Sequence, residues 1–457
     1  MSTAVERFGL MLARHPGSIQ VVQWLMVAVY LFLLVVPAIL PAPDADAHLW
    51  NNLRLFAQFV FWGLWWPGVM LITLLTGRTW CGLFCPEGTL TEWASRRGLG
   101  RPIPRWIRWS GWPFVAFVCI TLYGQLISIY DYPDAALLIL GGSGIAALAV
   151  GYLYGRGKRI WCRYLCPVSG VFSLLARLAP VHYRTDRAAW NAAAKARPDR
   201  SIPIRAVDCP TLLDIPRLTS AAECHACGRC AGHRNAVSLV VRSPNQELVD
   251  PASPSTRSQA VILLFAVLGI ATAAFQWPIS PWLLHLKLNL AAWLVEGGHY
   301  GLLGSAPWWL LTNHPEANDV FTWLDGGLIV AYMLGGGLLL GALLALWPWL
   351  AARLLRDARL PWERLAMSYA PLGGISLILG LTMLTLAQLR AEHLSPDWVP
   401  GLRMALLAFG SVWSLWRIFV LIRGSAAPQA RRIAAGTLMW APVIVMDSLW
   451  YQLFFVW

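Results

Sequence analysis

Three cysteines fall within one short run, Cys224-His225-Ala226-Cys227-Gly228-Arg229-Cys230. A C-x2-C-x2-C loop of this kind wraps one corner of an iron–sulfur cubane, so that three thiolates reach three irons. In bacterial ferredoxins the run continues x3-C-P and that last Cys serves another cluster. Here the position is Arg234, while Cys209-Pro210 upstream offers a remote Cys followed by Pro. Cys209, Cys224, Cys227 and Cys230 are therefore expected to hold one [4Fe–4S] cluster. A structural zinc on the same four sulfurs is the alternative. His225 and His233 are available as other ligands, but are expected at the surface.

A second cysteine pattern occurs twice. Arg78-Thr79-Trp80-Cys81-Gly82-Leu83-Phe84-Cys85-Pro86 is echoed by Arg159-Ile160-Trp161-Cys162-Arg163-Tyr164-Leu165-Cys166-Pro167, with Arg, Trp, both Cys and Pro in register. In a helix, Cys at i and i+4 project to one face. Alternatively, Pro86 and Pro167 start the helices that follow, since Pro is tolerated in a first turn. Each Cys then sits near a positive helix end, which favours thiolate. The repeat predicts that Cys81, Cys85, Cys162 and Cys166 converge on one buried site. A second iron–sulfur cluster is expected there, with another metal such as copper, or a redox-active or structural thiol set, as alternatives. Arg78, Arg159 and Arg163 offset thiolate and cluster charge or face lipid headgroups. The motifs use eight of the nine cysteines. Cys119, alone in an apolar run, reads as a small buried hydrophobe.

The elements that must position these residues are membrane helices. Apolar residues make up 57% and charged residues 13% of the chain, against roughly 25% charged in a soluble domain. The 27 tryptophans suit many bilayer interfaces. Arg7 and Arg14 precede an apolar run too long for a signal h-region, so no cleavable signal peptide is expected. Apolar stretches near the ~20 residues that span a bilayer lie at 19–42, 54–76, 111–130, 136–155, 259–276, 325–351, 366–389, 402–422 and 434–457. The fold class is an all-α polytopic membrane protein with about nine transmembrane helices and a small cytoplasmic ferredoxin-like iron–sulfur domain.

Lys and Arg concentrate in 77–109, 156–257, 353–364 and 423–432, whereas 43–53, 131–135, 277–324 and 390–401 hold only Lys287 and Arg390. By the positive-inside rule the first set is cytoplasmic. The net charge of +13 thus reads as topology, not as nucleic-acid binding. The protein is expected in the bacterial inner membrane, with its N-terminus and its thiols on the reducing, cytoplasmic side. Residues 19–97 and 100–178 form two parallel hairpin units related by a pseudo-twofold along the membrane normal. The expected domains are 1–178, the duplicated hairpin unit; 179–256, the cytoplasmic iron–sulfur domain; and 257–457, a second membrane half. The last contains a Trp-rich periplasmic segment, 277–324, in which Pro281–Glu296 suits an interfacial helix.

Paired W-C-x3-C-P motifs after transmembrane hairpins, followed by a ferredoxin-like cluster motif, resemble the polyferredoxin-type membrane iron–sulfur proteins typified by NapH, NosR and CcoG. The resemblance covers residues about 19–240. It implies electron transfer linked to quinol oxidation, periplasmic reductases or cofactor maturation. The chain departs from NapH-like members in having one cluster's worth of ferredoxin cysteines and a large second membrane half.

The expected function is a membrane electron carrier, an electron-transfer subunit of an oxidoreductase. It would relay electrons between quinone or a soluble donor and a partner redox protein, such as a periplasmic cytochrome or reductase. The alternatives are a copper reductase or assembly factor for a respiratory enzyme, and a non-redox scaffold with structural zinc. Asp447, in the outer half of the last span, is the candidate quinol proton acceptor, with Glu392 or His393 nearby, because intramembrane carboxylates are costly and often functional. A bis-His haem in the bilayer core is not expected, since His48, His285, His299, His314 and His393 all sit near or beyond the outer ends. His299 and His314 are outer-surface candidates for a metal or haem.

Overall fold

In a hydrocarbon layer every backbone N–H and C=O must be paired, which makes a helix of each long apolar run. The computed structural model describes residues 3–44, 46–195, 207–249 and 255–457, so parts of the expected cytoplasmic segment, 196–206 and 250–254, lie outside the described residues. Among the described residues eight helices are long and apolar enough to cross a membrane: Pro16–Ile39, Leu53–Thr76, Pro133–Tyr154, Arg257–Ile279, Trp323–Leu355, Trp362–Ala391, Val399–Arg423 and Gln429–Val456. The remaining expected span is shortened to Trp112–Leu126, 15 residues, or about 22 Å against the roughly 30 Å hydrocarbon core. Pro113 lies at its start, and Ser128, with φ of 47°, turns the chain after it.

The chain gathers into two compact units, which cut across the blocks 1–178, 179–256 and 257–457. One comprises Met1–Phe32, Gly68–Pro113 and Ser143–Pro254; the other comprises Leu33–Pro67, Phe114–Gly142 and Ser255–Trp457.

In the first unit, β1 (Val181–Thr185) pairs antiparallel with β2 (Val237–Val241), Val181 opposite Val241 and Thr185 opposite Val237. Tyr183, Val237 and Leu239 turn inward and pack with Ile215, Leu218 and Ala226. A two-stranded sheet is marginal alone. It gains cover from the N-terminal helix Ala4–Arg14, whose Gly9 lies against Leu239 and Tyr183. Glu247 is buried, pairs with Arg177 across 3.0 Å, and accepts from Arg242 Nη1, Ser220 Oγ (2.6 Å) and the Ala221 N–H (3.0 Å). A buried carboxylate is tolerated when it is paired and its lone pairs are filled. The segment 179–249 is thus an integral part of this unit.

In the second unit, Arg257–Ile279 is the central helix, with 72% of its apolar window buried. A Cβ on Gly337 would stand 2.9 Å from Ile270 Cα. Small residues permit such close backbone approach between membrane helices. On the expected outer segment, Pro281–Glu296 is a helix capped by Ser280, and Lys287 pairs with Asp325 at 2.6 Å.

Candidate iron–sulfur site

Both Cys-x3-Cys-Pro copies fold through the same widened turn. The Cys85 N–H donates to Trp80 O and the Cys166 N–H to Trp161 O, each at 2.9 Å. Such i→i+5 turns recur at functional sites. The cysteines of a pair therefore do not sit on one regular helical face. In the first copy Cys85 caps helix Pro86–Arg96, with Pro86 at its first position and the Gly88 N–H donating to Cys85 Sγ at 3.5 Å. In the second copy the helix begins only at Ser169. Trp161 and Cys162 pack on Ala147 of the preceding span.

The four thiols share one electrostatic neighbourhood. Burial, then Cys81, Cys162 and Glu87, push the Cys85 thiol up, and burial with Glu87, Cys162, Cys85 and Cys81 does the same to Cys166. Burial pushes Cys162 up to about 12 although Arg159 opposes it. As free thiols Cys85, Cys162 and Cys166 stay protonated. A bound metal centre supplies the positive charge that reverses this.

The motif arginines cross between the copies. Arg159 donates from Nη1 to Cys81 O at 2.5 Å and from Nε to Glu92 Oε2 at 2.8 Å. Arg78 donates from Nη2 to Ser169 Oγ at 3.0 Å, and Ser169 Oγ donates to Cys162 O at 3.1 Å. Each motif arginine thus reaches into the other copy. Arg78 and Arg159 are 4% and 1% exposed, so neither faces headgroups; Arg163 pairs with Glu223. Glu92 also accepts from Arg229 at 2.5 Å and Arg96 at 2.8 Å. Burial works to raise its pKa, but Arg159 and Arg229 outweigh that and hold it at about 2. Trp161 Nε1 donates to Glu87 Oε2 at 3.0 Å, and Gln23 Nε2 to Gly82 O at 2.8 Å. Gln23, Glu87, Glu92, Ser169 and Arg229 were not singled out from the sequence. The signal available was two acids in the short helix directly after a Cys-Pro.

Cys209, Cys224, Cys227 and Cys230 line one tight cavity of about 20 Å³. The loop closes around it through left-handed backbone at Ala226 (φ 48°) and Gly228 (φ 80°), a conformation that costs a non-glycine residue about 1 kcal/mol or more. The Ala226 N–H meets Cys224 Sγ at 3.4 Å, and Thr211 Oγ1 lies 3.4 Å from Cys209 Sγ. Burial pushes Cys224 up to about 12 and raises Cys227 and Cys230 as well. Among the described residues no three Cys, His, Asp or Glu side chains are close enough to share one metal ion, as a zinc with Zn–S near 2.3 Å needs. A cluster of several irons, which holds its sulfurs further apart, fits this donor set.

His225, expected at the surface, is 3% exposed, and its Nδ1 has no hydrogen-bond partner among the described residues. Burial, with Arg78, Arg159 and Arg163, pushes its pKa well down, so it is neutral. His233 is half-buried against Trp190, ring centroids 5.3 Å apart.

The two cysteine sets abut. A Cβ on Gly82 would overlap His225 O and stand 2.9 Å from Cys227 N and 3.0 Å from Cys227 Cα. Two further bonds join them: the Arg159 N–H to Pro210 O (2.7 Å) and Arg78 Nη1 to Ala222 O (3.1 Å).

The remaining candidates lie in the second unit. Asp447 accepts from Ser411 Oγ at 2.7 Å and borders an open cavity with Met404, Leu407 and Tyr451. Glu392 is engaged elsewhere, by His48 Nδ1 (2.8 Å) and the Leu49 N–H (2.7 Å), and neither it nor His393 lines that cavity. His314 stacks on Tyr132 at 3.6 Å and His299 lies beside Trp293. Cys119, expected to be buried, is exposed on its short apolar helix.

A family described as "4Fe-4S binding domain" matches residues 58–108 and 137–184, once over each Cys-x3-Cys-Pro copy. Among curated proteins, "Putative electron transport protein YccM" of Escherichia coli (strain K12) is 23% identical over 244 residues, 46% of this chain and 64% of that protein. The chain thus covers less than two thirds of that relative. No solved structure matches. The resemblance to polyferredoxin-type membrane iron–sulfur proteins, carried first by the cysteine motifs, accordingly holds for both repeats.

Proposed function

We propose that this protein is a membrane electron carrier with two adjoining [4Fe–4S] clusters. One is held by Cys81, Cys85, Cys162 and Cys166, and the other by Cys209, Cys224, Cys227 and Cys230. The observation that carries the reading is the contact of Gly82, inside one cysteine motif, with the His225–Cys227 backbone, inside another. When bound, each cluster takes up and gives up one electron at a time. The chain's own part is to bury the thiols, set the charge around them through Arg78 and Arg159, and keep the two sets adjacent.

The sidedness follows from parity. Cys81 and Cys162 follow the helices Leu53–Thr76 and Pro133–Tyr154 and share one electrostatic neighbourhood. The chain between them must therefore cross the membrane an even number of times, so the short helix Trp112–Leu126 also crosses, with local thinning. By the positive-inside rule, the Lys/Arg-rich flanks support a cytoplasmic side for the clusters, in the inner membrane. Quinone or a soluble donor, and a redox protein such as a periplasmic cytochrome or reductase, are the proposed partners. The Trp-rich segment 277–324 is a proposed docking face. Asp447 is the proposed proton acceptor on the outer half. Asp447→Asn should slow quinol-driven reduction with cluster content unchanged, and an unaltered rate returns Asp447 to a packing role with Ser411.

Anaerobic purification with iron and sulfide analysis, and EPR after reduction, tests the central reading. Two clusters' worth of iron is expected. Cys224→Ala should remove one species, and Cys85→Ser and Cys166→Ser should each remove the other. Zinc or copper in place of iron, or distinct losses from Cys85→Ser and Cys166→Ser, would overturn the assignment.

A further inference from the structure

The last two helices of membrane-spanning length, Val399–Arg423 and Gln429–Val456, are joined by the short connection 424–428. A link this short makes them antiparallel neighbours. They meet where Gly436 faces Ile422; a Cβ added at Gly436 would find only Ile422 Cδ1, at 4.0 Å. Beside this contact the two helices line a cavity of about 730 Å³, within the roughly 300–1,000 Å³ of ligand sites.

The helices order the chemistry of the cavity along their length. Arg423 and Arg432 lie at its connection end, where Arg432 Nη1 donates to Arg423 O at 3.2 Å. Leu415 and Trp440 lie at the other end, each about two turns or 12 Å deeper along its own segment. Between the ends stand Phe419 and Ile433, 59% and 62% exposed, with Trp440 54% exposed.

No Asp or Glu is among the described residues lining the cavity, and neither arginine has an acidic partner among them. Arg432 Nε is closed off from solvent without an acceptor among the described residues, and such a donor is costly to leave unmet. Asp357, which holds the connection, is taken up by Arg359, Ser425 Oγ and the Ala426 N–H. The cavity thus asks for an anion at one end and an apolar body at the other. A nucleotide would leave the apolar wall bare. A neutral lipid would leave both guanidinium groups unmet, and a zwitterionic one would bring an ammonium against them.

We propose that this cavity binds an anionic phospholipid of the phosphatidylglycerol class. Its phosphate would sit between Arg423 and Arg432, and an acyl chain would lie along Phe419, Ile433 and Trp440. Basic pockets between membrane helices on the cytoplasmic side bind such headgroups, and 423–432 is one of the Lys/Arg-rich segments expected there. The site shares no residue with the cysteine sets, so it stands or falls apart from the relay reading.

The test is photolabelling of the full-length protein in uncharged detergent micelles, followed by peptide mapping. The probes are phosphatidylglycerol and phosphatidylcholine, each with a diazirine on the same acyl chain. Phosphatidylglycerol adducts on peptides within 415–440 are expected at least fivefold above those of phosphatidylcholine. Unlabelled phosphatidylglycerol should compete them away, and inorganic phosphate should not. Arg423→Gln with Arg432→Gln should bring the labelling down at least fivefold. Gly436→Leu, which fills the cavity and keeps both charges, should also lower it. On the parent protein alone, equal labelling by the two probes would mean ordinary lipid contact and overturn the proposal. Adducts spread evenly over the other spans, or competition by phosphate as strong as by phosphatidylglycerol, would overturn it too. So would unchanged labelling of a folded double arginine variant.

Discussion

Gly82 has no side chain because the carbonyl of His225 occupies the place where one would be. The equivalent position in the second copy is Arg163, which instead reaches out to Glu223. The repeat is thus broken at the point where the C-x2-C-x2-C loop docks.

Gly82→Ala should therefore separate the two cysteine sets. Overpacking of this kind costs about 1–3 kcal/mol, and here the neighbour that must move is backbone. Iron and sulfide per chain should fall, and at least one EPR species should broaden or vanish. Gly144→Ala, where a Cβ meets nothing within 4 Å, is the control. Full iron and an unchanged spectrum in Gly82→Ala would refute the docking.

Arg78 is buried beside Cys81, Cys166 and Cys162. Removing its charge favours the oxidised, less negative cluster, so Arg78→Leu should shift one midpoint potential downward. The shift expected is on the order of 60 mV, a tenfold change for one electron. Redox titration followed by EPR reads it. Arg163→Leu, whose partner Glu223 is 55% exposed, should shift less; equal shifts would show that Arg78 has no special role.

Glu92 clamps three arginines of unequal burial: Arg159 at 1%, Arg229 at 29% and Arg96 at 52% side-chain exposure. Glu92→Gln leaves Arg159 buried without a counter-charge, a loss of about 3–5 kcal/mol. Arg96→Gln removes an exposed pair and should change stability by about 0.5 kcal/mol or less. Thermal melting of both variants in detergent checks the contrast, and similar melting points would show that the clamp is not structural.

His182 is 7% exposed, and burial, with Arg242 and Arg184, pushes its pKa down to about 3. Unfolded, it takes a proton near pH 6.5. Its contribution is thus fully present above about 6.5 and is lost as pH falls toward 3. From pH 7.5 to 5.5 the loss is about 1.4 kcal/mol. His182→Gln should flatten the fall in melting point over that range, with iron content verified at both ends. An identical pH slope in the variant would clear His182.

The cysteine sets were legible because ligand chemistry demands particular residues at short, fixed spacings. The long spans were legible because bilayer thickness sets a length. The shortened helix Trp112–Leu126 was not, because the turn at Ser128 lies inside an unbroken apolar run. His225 was misplaced at the surface because the arginines around it, at 78 and 159, come from distant sequence. The clamp at Glu92 depends on Arg159 and Arg229 arriving from two other segments, and no local pattern encodes that meeting.

The convergence of Cys81 and Cys85 with Cys162, Cys166 and the Cys227 loop also orders events during biosynthesis. Chains emerge N-terminus first, so the first thiol pair leaves the ribosome well before the residues that complete its surroundings. On the proposed two-cluster reading, metal loading is then a late step that waits for both hairpins and the cysteine loop. A ribosome-stalled chain ending before Cys224 should insert into membranes yet retain no stable cluster, which leaves the unfinished site exposed to oxygen for the whole interval.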